Sequence, residues 1–199
     1  MAKNKIVKVD LYPIIDEDML HINQITGPRG GMRAYQKPGD PYPLWSVTTI
    51  LSNTVAKPAL MHWYNKQGRE AVAERLTPHV GTVLSDGLLE QALEDAAVRP
   101  RKKASEAADV GTRAHDFLSE YIESRIKGVE QEVKVPMDLF PVWESFQRWE
   151  KDAGIEQYLK TEFAVYSELF RYAGSVDALA YNSEGRFMVL DWKTGKGLY

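Results

Sequence analysis

Two aspartates and a lysine near the end of the chain have the residue types and spacing that metal-assisted hydrolysis requires. Asp191 follows Asp177 by 191 − 177 = 14 positions, and Lys193 comes two positions later. Both aspartates lie in strand-like runs, RYAGSVDALAYNSE and GRFMVLDWKTG, and residues 182–185 between the runs have turn composition. A hairpin therefore brings the aspartates together. Alternation along the second strand puts Asp191 and Lys193 on one face and Trp192 in the core.

This group suits the hydrolysis of a phosphodiester, which needs cations against the phosphate charge, an activated water and stabilisation of the leaving oxygen. Carboxylates bind Mg²⁺ or Mn²⁺. The ammonium of Lys193 can orient the attacking water or help to deprotonate it. Taken alone, however, a D-x-K pair on a hairpin is more often a surface ion pair, and that alternative stays open.

The wider run GSVDALAYNSEGRFMVLDWKTGK resembles the core of the PD-(D/E)xK nucleases. Within them it is similar to the RecB-like branch, which includes phage exonucleases and Cas4-like proteins. The branch pattern is G-x-x-D, a short hairpin, then D-x-K followed by T-G, and its counterparts here are Gly174, Asp177, Asp191, Lys193, Thr194 and Gly195. The earlier phrases SVTTIL and KPALMHWYNKQG also resemble the opening of phage members.

The resemblance implies a site for Mg²⁺ or Mn²⁺. The branch carries a histidine within G-T-x-x-H, which matches His115, so His115, Asp177 and Asp191 are the implied ligands, with the Trp192 carbonyl as a fourth. Glu162 resembles an acidic residue that many members place on the first core strand. The plainer alternatives are that His115 is a hydrogen-bonded histidine at the edge of a core, and that Glu162 is an exposed strand residue beside Lys160.

The resemblance also implies the activity, a metal-dependent deoxyribonuclease that acts as an exonuclease on DNA ends in phage or bacterial recombination and repair. A recombination or single-strand-binding protein is the implied partner. The chain has no cysteine, so the iron–sulfur members are excluded. The branch continues into a helix with Q-x-x-x-Y, and the sequence stops at Tyr199, so we expect a nuclease core truncated at its C-terminal end. A catalytically silent nucleic-acid-binding or assembly module is the alternative.

The expected contacts to nucleic acid are cationic and hydroxyl side chains near this site. With a formal net charge of −3 the chain has no global attraction for phosphate, so a local patch must supply it. We predict that patch from a basic run at the start of a helix, from an arginine two positions before His115, and from the D-x-K tail: Arg99, Arg101, Lys102, Lys103, Arg113, Thr194 and Lys196. The basic run is also typical of a solvated helix start.

The elements that must position these residues predict an α/β fold. The expectation is a restriction-endonuclease-like core, with a small central mixed sheet flanked by helices, and an N-terminal elaboration. The elaboration covers residues 1–98 and the core 99–199, within one compact unit. Helices are predicted at 58–76, 85–97, 102–127 and from 141, and strands in 5–36 and from 155 onwards. No apolar run reaches membrane-spanning length and no signal peptide is visible, so a cytoplasmic protein is expected.

Overall fold

The computed structural model describes residues 23–26, 32–129 and 133–194 of the chain. Three strands, four α-helices and three further strands follow one another in these residues, and this mixture of helices and strands confirms the predicted α/β class. The elements are β1 (Asn23–Thr26), β2 (Arg33–Gln36), β3 (Leu44–Ser46), α1 (Val47–Thr54), α2 (Pro58–Leu76), α3 (Asp86–Ile126), α4 (Phe140–Asp152), β4 (Ile155–Ser167), β5 (Tyr172–Asn182) and β6 (Phe187–Leu190). Short 3-10 turns precede α3 and α4.

Strand β5 is the centre of the mixed sheet, whose order is β1-β2-β3-β5-β4 with β6 also paired to β5. Strand β3 runs parallel to β5, and the other pairs are antiparallel. Because β4 follows one edge of β5 along its length, β3 and β6 share the other edge. Strand β3 pairs at Tyr172 and Ala173, and β6 begins pairing at Ala178. Among the described strands, residues 174–177 therefore have no neighbour on that edge, and Asp177 lies in this gap.

The core is built where the second part of α3 and the helix α4 pack on β4, β5 and β6. Apolar residues recur on α3 at a spacing of four and are fully or almost fully buried: Ala114, Leu118 and Ile122. Leu118 and Ile122 belong to a cluster whose other buried members are Trp143, Phe146, Tyr158, Ala178, Ala180 and Leu190. Trp192 packs edge-on against Phe146 and Trp149, with ring centroids 5.3 and 5.1 Å apart. The prediction that Trp192 faces the core is confirmed.

Residue contacts divide the chain into two compact units. One unit contains the residues up to Thr54 and those from Arg113 onwards, and the other is Val55–Thr112. The second unit is a helical hairpin of α2 and the first part of α3. The sheet of the first unit takes strands from both ends of the chain, and the predicted division at residue 98 stays a prediction.

Helix α3 corrects the prediction of two helices separated near residue 100. It runs unbroken from Asp86 to Ile126 with Pro100 in its interior. A proline normally breaks a helix, because it lacks an N–H and crowds the carbonyl four residues earlier. That carbonyl belongs to Ala96, and α2 passes it at Gly68, where an added Cβ would lie only 3.3 Å from the oxygen. Since Pro100 is also buried, packing within the hairpin supports the helix where its sequence favours an end.

Other local predictions are confirmed. Helix α2 covers the predicted residues and has Pro58 in its first turn, and α4 has Pro141 there. The hairpin turn of residues 182–185 is held by Asn182, whose side-chain oxygen accepts from the N–H groups of Glu184 and Arg186. The predicted strand over residues 5–13 lies outside the described residues. No helix within the described ranges is long and apolar enough to cross a membrane.

Candidate metal centre

Three side chains from three elements converge at one point. His115 of α3, Glu162 of β4 and Asp177 of β5 each offer a ligand atom, and these atoms lie within 4.8 Å of one another. His115 Nδ1 is 3.5 Å from Asp177 Oδ2 and 4.0 Å from Glu162 Oε1. The three residues are separated by 47 and 15 positions in the chain, so only the packing of α3 on the sheet brings them together.

His115 is directed by the buried stripe of α3. Its neighbour Ala114 is fully buried and Leu118 is 3% exposed, which fixes the rotation of the helix about its axis. A side chain one position along from the stripe then lies at its border, and His115 is half-buried there, 29% exposed. The predicted position of His115 at the edge of the buried face is confirmed.

Asp177 is the buried member of the group, 8% exposed. Its Oδ2 accepts a hydrogen bond of 2.6 Å from the backbone N–H of Trp192. Asp177 lies in the gap on the edge of β5, and its carboxylate binds a backbone N–H of the segment that follows β6. A charged acceptor makes this bond stronger than an ordinary backbone pair.

Glu162 has an unusual backbone conformation, with φ at 45°. Residues other than glycine rarely adopt a positive φ, and such residues concentrate at functional sites. Thr161 pairs with Ala178 and Phe163 with Val176, so Glu162 lies opposite Asp177. The hydroxyl of Thr161 donates to the Asp177 carbonyl over 2.9 Å. This bond ties β4 to β5 beside the strained residue.

The electrostatics of the group follow from two carboxylates in a partly buried place. Burial raises the pKa of the Glu162 carboxyl above its ordinary value. The negative charge of Asp177 raises the pKa of Glu162 further, as does the charge of Asp116, while His115 lowers it. The ionised form of Glu162 is therefore less favourable than that of an ordinary glutamate, and a cation would offset the negative charge.

These donors fit a small divalent cation. Mg²⁺ binds oxygen at about 2.1 Å in octahedral geometry, so neighbouring ligand atoms are about 3.0 Å apart and opposite ones about 4.2 Å. The separations of 3.5 and 4.0 Å from His115 Nδ1 lie within this range. Two carboxylates and one imidazole form a donor set that can hold a divalent cation, and its identity as Mg²⁺ or Mn²⁺ stays a prediction of the sequence resemblance.

Asp191 and Lys193 lie apart from this group among the residues that the structure describes. Strand β6 ends at Leu190, so Asp191 and Lys193 follow the strand and are not part of it as predicted. The bond from Trp192 to Asp177 replaces the ladder pairing at this point. The two side chains form an exposed ion pair with Lys193 Nζ 2.5 Å from Asp191 Oδ2. Lys193 Nζ also lies 3.5 Å from the Trp192 carbonyl oxygen. Metal ligation by Asp191 and by that carbonyl stays a prediction.

Two of the predicted nucleic-acid contacts already have carboxylate partners. The guanidinium of Arg99 donates to both oxygens of Glu74, at 2.6 and 2.9 Å. Arg113 pairs with Asp138 at 2.6 Å.

The other predicted contacts differ in exposure. Arg101 and Lys102 are exposed and Lys103 is half-buried. They lie inside α3 and not at a helix start as predicted. Thr194 is exposed, and Lys196 lies outside the described ranges.

Sequence reasoning missed Thr161 and Asp116. Asp116 follows His115 directly in the chain. An acidic residue next to a candidate metal ligand indicates, from the sequence alone, added negative charge at the site. Thr161 has no such signal, because its role depends on the carbonyl that it meets across the sheet.

In comparisons with family models, with curated proteins and with solved structures, nothing matches this chain.

Proposed function

We propose that this chain is a metal-dependent nuclease of the PD-(D/E)xK superfamily, in its RecB-like branch, and that it hydrolyses DNA phosphodiesters. The supporting observation is the convergence of His115, Glu162 and Asp177 within 4.8 Å. The sequence resemblance names all three residues, His115 and Asp177 as metal ligands and Glu162 as an acidic residue of the first core strand. The mixed α/β architecture is compatible with a restriction-endonuclease-like core.

In this proposal His115, Glu162 and Asp177 hold Mg²⁺ or Mn²⁺. The bound ion supplies positive charge against the phosphate and makes a bound water more acidic. The N–H of Trp192 keeps the Asp177 carboxylate oriented. Glu162 would bind the ion through Oε1, and the other oxygen of its carboxylate would accept a proton from the attacking water. Lys193 is tied to the site through the neighbouring Trp192.

The same resemblance favours DNA over RNA and an exonuclease over an endonuclease. The setting is phage or bacterial recombination and repair, in a cytoplasm, with a recombination or single-strand-binding protein as partner. These points are proposals that product analysis and pull-down from infected cells can test.

A second candidate function is a nucleic-acid-binding module that does not cleave. The observation that favours it is the exposed ion pair between Asp191 and Lys193. In this ion pair the Lys193 ammonium contacts the carboxylate of Asp191, which is not one of the three residues of the metal centre.

The test is digestion of end-labelled single- and double-stranded DNA with Mg²⁺, with Mn²⁺ and with EDTA. Wild type, His115→Ala and Asp177→Asn are compared. His62→Ala is the matched control, because His62 is exposed on α2 and has no assigned role. We expect wild type and the control to degrade DNA with metal, and both site variants to stay at the EDTA level. The product ladder then gives the polarity.

The opposing result is also defined. If wild type binds DNA but degrades none under any metal condition, the binding module replaces the nuclease. If His115→Ala digests DNA as fast as the control, the three-residue centre is not the active site.

A further inference from the structure

A concave region lined by positive side chains lies at the ends of α3 and α4. It is a cavity of about 530 Å³ with Arg125, Gln147, Arg148, Glu150, Lys151, Gly154 and Ile155 around it. Three cations and one carboxylate leave a net charge of two positive there, in a chain whose formal net charge is −3. The region therefore has the opposite sign to the protein as a whole.

The carboxylate of this cavity is directed into the fold. Glu150 accepts hydrogen bonds from Tyr158, at 2.8 Å, and from Tyr121, at 3.2 Å. Its side chain is only 16% exposed. Arg125 donates to the Tyr121 hydroxyl and lies 3.9 Å from Glu150. Arg125 and Glu150 thus offset one another at the inner side of the cavity.

The remaining two cations are available. Arg148 and Lys151 are exposed, and neither has a side-chain partner among the residues that the structure describes. This distinguishes them from Arg99 and Arg113, which pair with carboxylates. Gln147 adds an exposed amide beside them. Arginine, lysine and glutamine are side chains that commonly contact the phosphates of nucleic acids.

The cavity and the metal centre are connected by one helix. His115 and Arg125 are ten residues apart on α3, which is about 15 Å along a helix axis. A nucleic-acid strand in B-form advances about 3.4 Å per nucleotide. A strand cleaved at the metal centre would bring a phosphate near the cavity about four nucleotides away.

We propose that Arg148 and Lys151 bind a backbone phosphate of the nucleic-acid strand whose cleavage takes place at His115, Glu162 and Asp177. This inference rests on the proposed nuclease function for the identity of the ligand. Its physical basis is independent of that function, since it needs only a polyanion and the unpartnered cations of the cavity.

Helix electrostatics offers a competing account of the same residues. Cations in the last turn of a helix interact favourably with its dipole, and Lys151 and Arg125 occupy last turns. If that is their whole role, replacing Arg148 or Lys151 lowers stability slightly and leaves nucleic-acid affinity unchanged.

The experiment measures the affinity of Arg148→Glu and Lys151→Glu for fluorescein-labelled single-stranded and duplex DNA by fluorescence anisotropy, in EDTA so that no strand is cut. Lys134→Glu is the matched control, because Lys134 is exposed in the same unit and has no partner among the described residues. Each substitution changes the net charge from −3 to −3 − 2 = −5.

We expect each cavity variant to lose about tenfold in affinity at low salt, as for one hydrogen bond to a charged group. The slope of log affinity against log salt should fall in magnitude by about 0.9 for duplex and about 0.7 for single strands. Lys134→Glu should match wild type in both quantities. Thermal unfolding should stay within about 0.5 kcal/mol of wild type for all three variants, as is usual at exposed sites.

Three results would overturn the inference. Equal losses in all three variants mean that only net charge matters. Unchanged affinity with lowered stability means that the cations serve the helix ends. The third result comes from competition with a mononucleotide. If the mononucleotide displaces labelled DNA from wild type but not from the cavity variants, at a concentration at which unlabelled strand displaces none, the cavity binds a free nucleotide.

Failure of the cavity can be separated from failure of the nuclease. If wild type cleaves DNA while the cavity variants bind as the control does, the cavity inference falls and the nuclease stands. If wild type binds DNA through Arg148 and Lys151 and cleaves none, the nuclease falls and the cavity stands.

Discussion

The substitution Glu162→Gln should stabilise the metal-free protein against unfolding and reduce the further stabilisation that bound metal provides. The change keeps the size of the side chain and removes its charge. In the metal-free protein, ionised Glu162 and Asp177 repel each other with ligand atoms no more than 4.8 Å apart. Two unit charges at 4.8 Å repel by about 0.9 kcal/mol in water and by about 3.5 kcal/mol at an effective dielectric constant of 20.

The lower value applies, because the Glu162 side chain is 43% exposed and solvent screens the repulsion. We therefore expect Glu162→Gln to raise the free energy of unfolding by about 1 kcal/mol at pH 7 in EDTA. For a chain of this length that corresponds to a rise in Tm of about 2–4 °C. With metal at 100 times its Kd, wild type should gain about 2.7 kcal/mol. Glu162→Gln should gain much less, so the order of the two proteins reverses.

The pH dependence of the free energy of unfolding tests independently whether ionised Glu162 destabilises the metal-free protein. The pKa of Glu162 is raised in the folded protein, so the folded state binds more protons than the unfolded state between the two pKa values. Stability then falls as pH rises through this interval. The advantage of Glu162→Gln in EDTA should vanish below the ordinary glutamate pKa of about 4.3. It should grow as pH rises through the folded-state pKa.

Thermal unfolding by circular dichroism, in EDTA and with increasing Mn²⁺, measures all of these quantities. Glu144→Gln is the matched control, because Glu144 is an exposed glutamate on α4 with no partner among the described residues. The control should behave as wild type under every condition. A lower Tm for Glu162→Gln in EDTA, or an undiminished gain from Mn²⁺, would refute the electrostatic account of the site.

Two further substitutions test the support of the site and of α3. Thr161→Val should lower the free energy of unfolding by about 1 kcal/mol, because the Thr161 hydroxyl ties β4 to β5 beside Glu162. It should also lower the Mn²⁺ affinity, measured by calorimetry, by at least about tenfold. Unchanged affinity would contradict a positioning role. Gly68→Ala should be less stable in urea unfolding than Gly87→Ala. A Cβ at Gly68 would lie 3.3 Å from the Ala96 carbonyl oxygen, whereas a Cβ at Gly87 meets nothing within 4 Å. If helix propensity stabilises both variants equally, by up to about 1 kcal/mol, the helices α2 and α3 move apart at this contact to accept the Cβ.

The elements that the sequence predicted correctly are those with local signals. Pro58 and Pro141 occupy first helical turns, where the missing N–H costs nothing. The composition of residues 182–185 predicted the hairpin, and the side chain of Asn182 closes it. In each case the residues that set the structure are neighbours in the chain.

The features that the sequence did not predict depend on contacts between distant segments. Helix α3 continues through Pro100 because α2 packs beside it, and the pattern of residues 97–102 alone favours a break. The positive φ of Glu162 has the same character, since nothing in EQYLKTEFAVYSE indicates a strained residue within a strand. For the site, the sequence motif and its resemblance selected His115, Glu162 and Asp177, and only the packing decided which of the candidates converge.

The surroundings of Asp177 give a reason why Asp191 lies apart from the group of His115, Glu162 and Asp177, although the motif assigns both aspartates to one site. Strand β6 pairs with β5 as far as Leu190 opposite Ala178, so continued pairing would set Asp191 opposite Asp177. Two buried carboxylates there would repel each other strongly, whereas the Trp192 N–H offers Asp177 a partner of complementary charge. The same Oδ2 that accepts this bond is the atom nearest His115. One oxygen atom therefore links the backbone that follows β6 to the group of His115, Glu162 and Asp177.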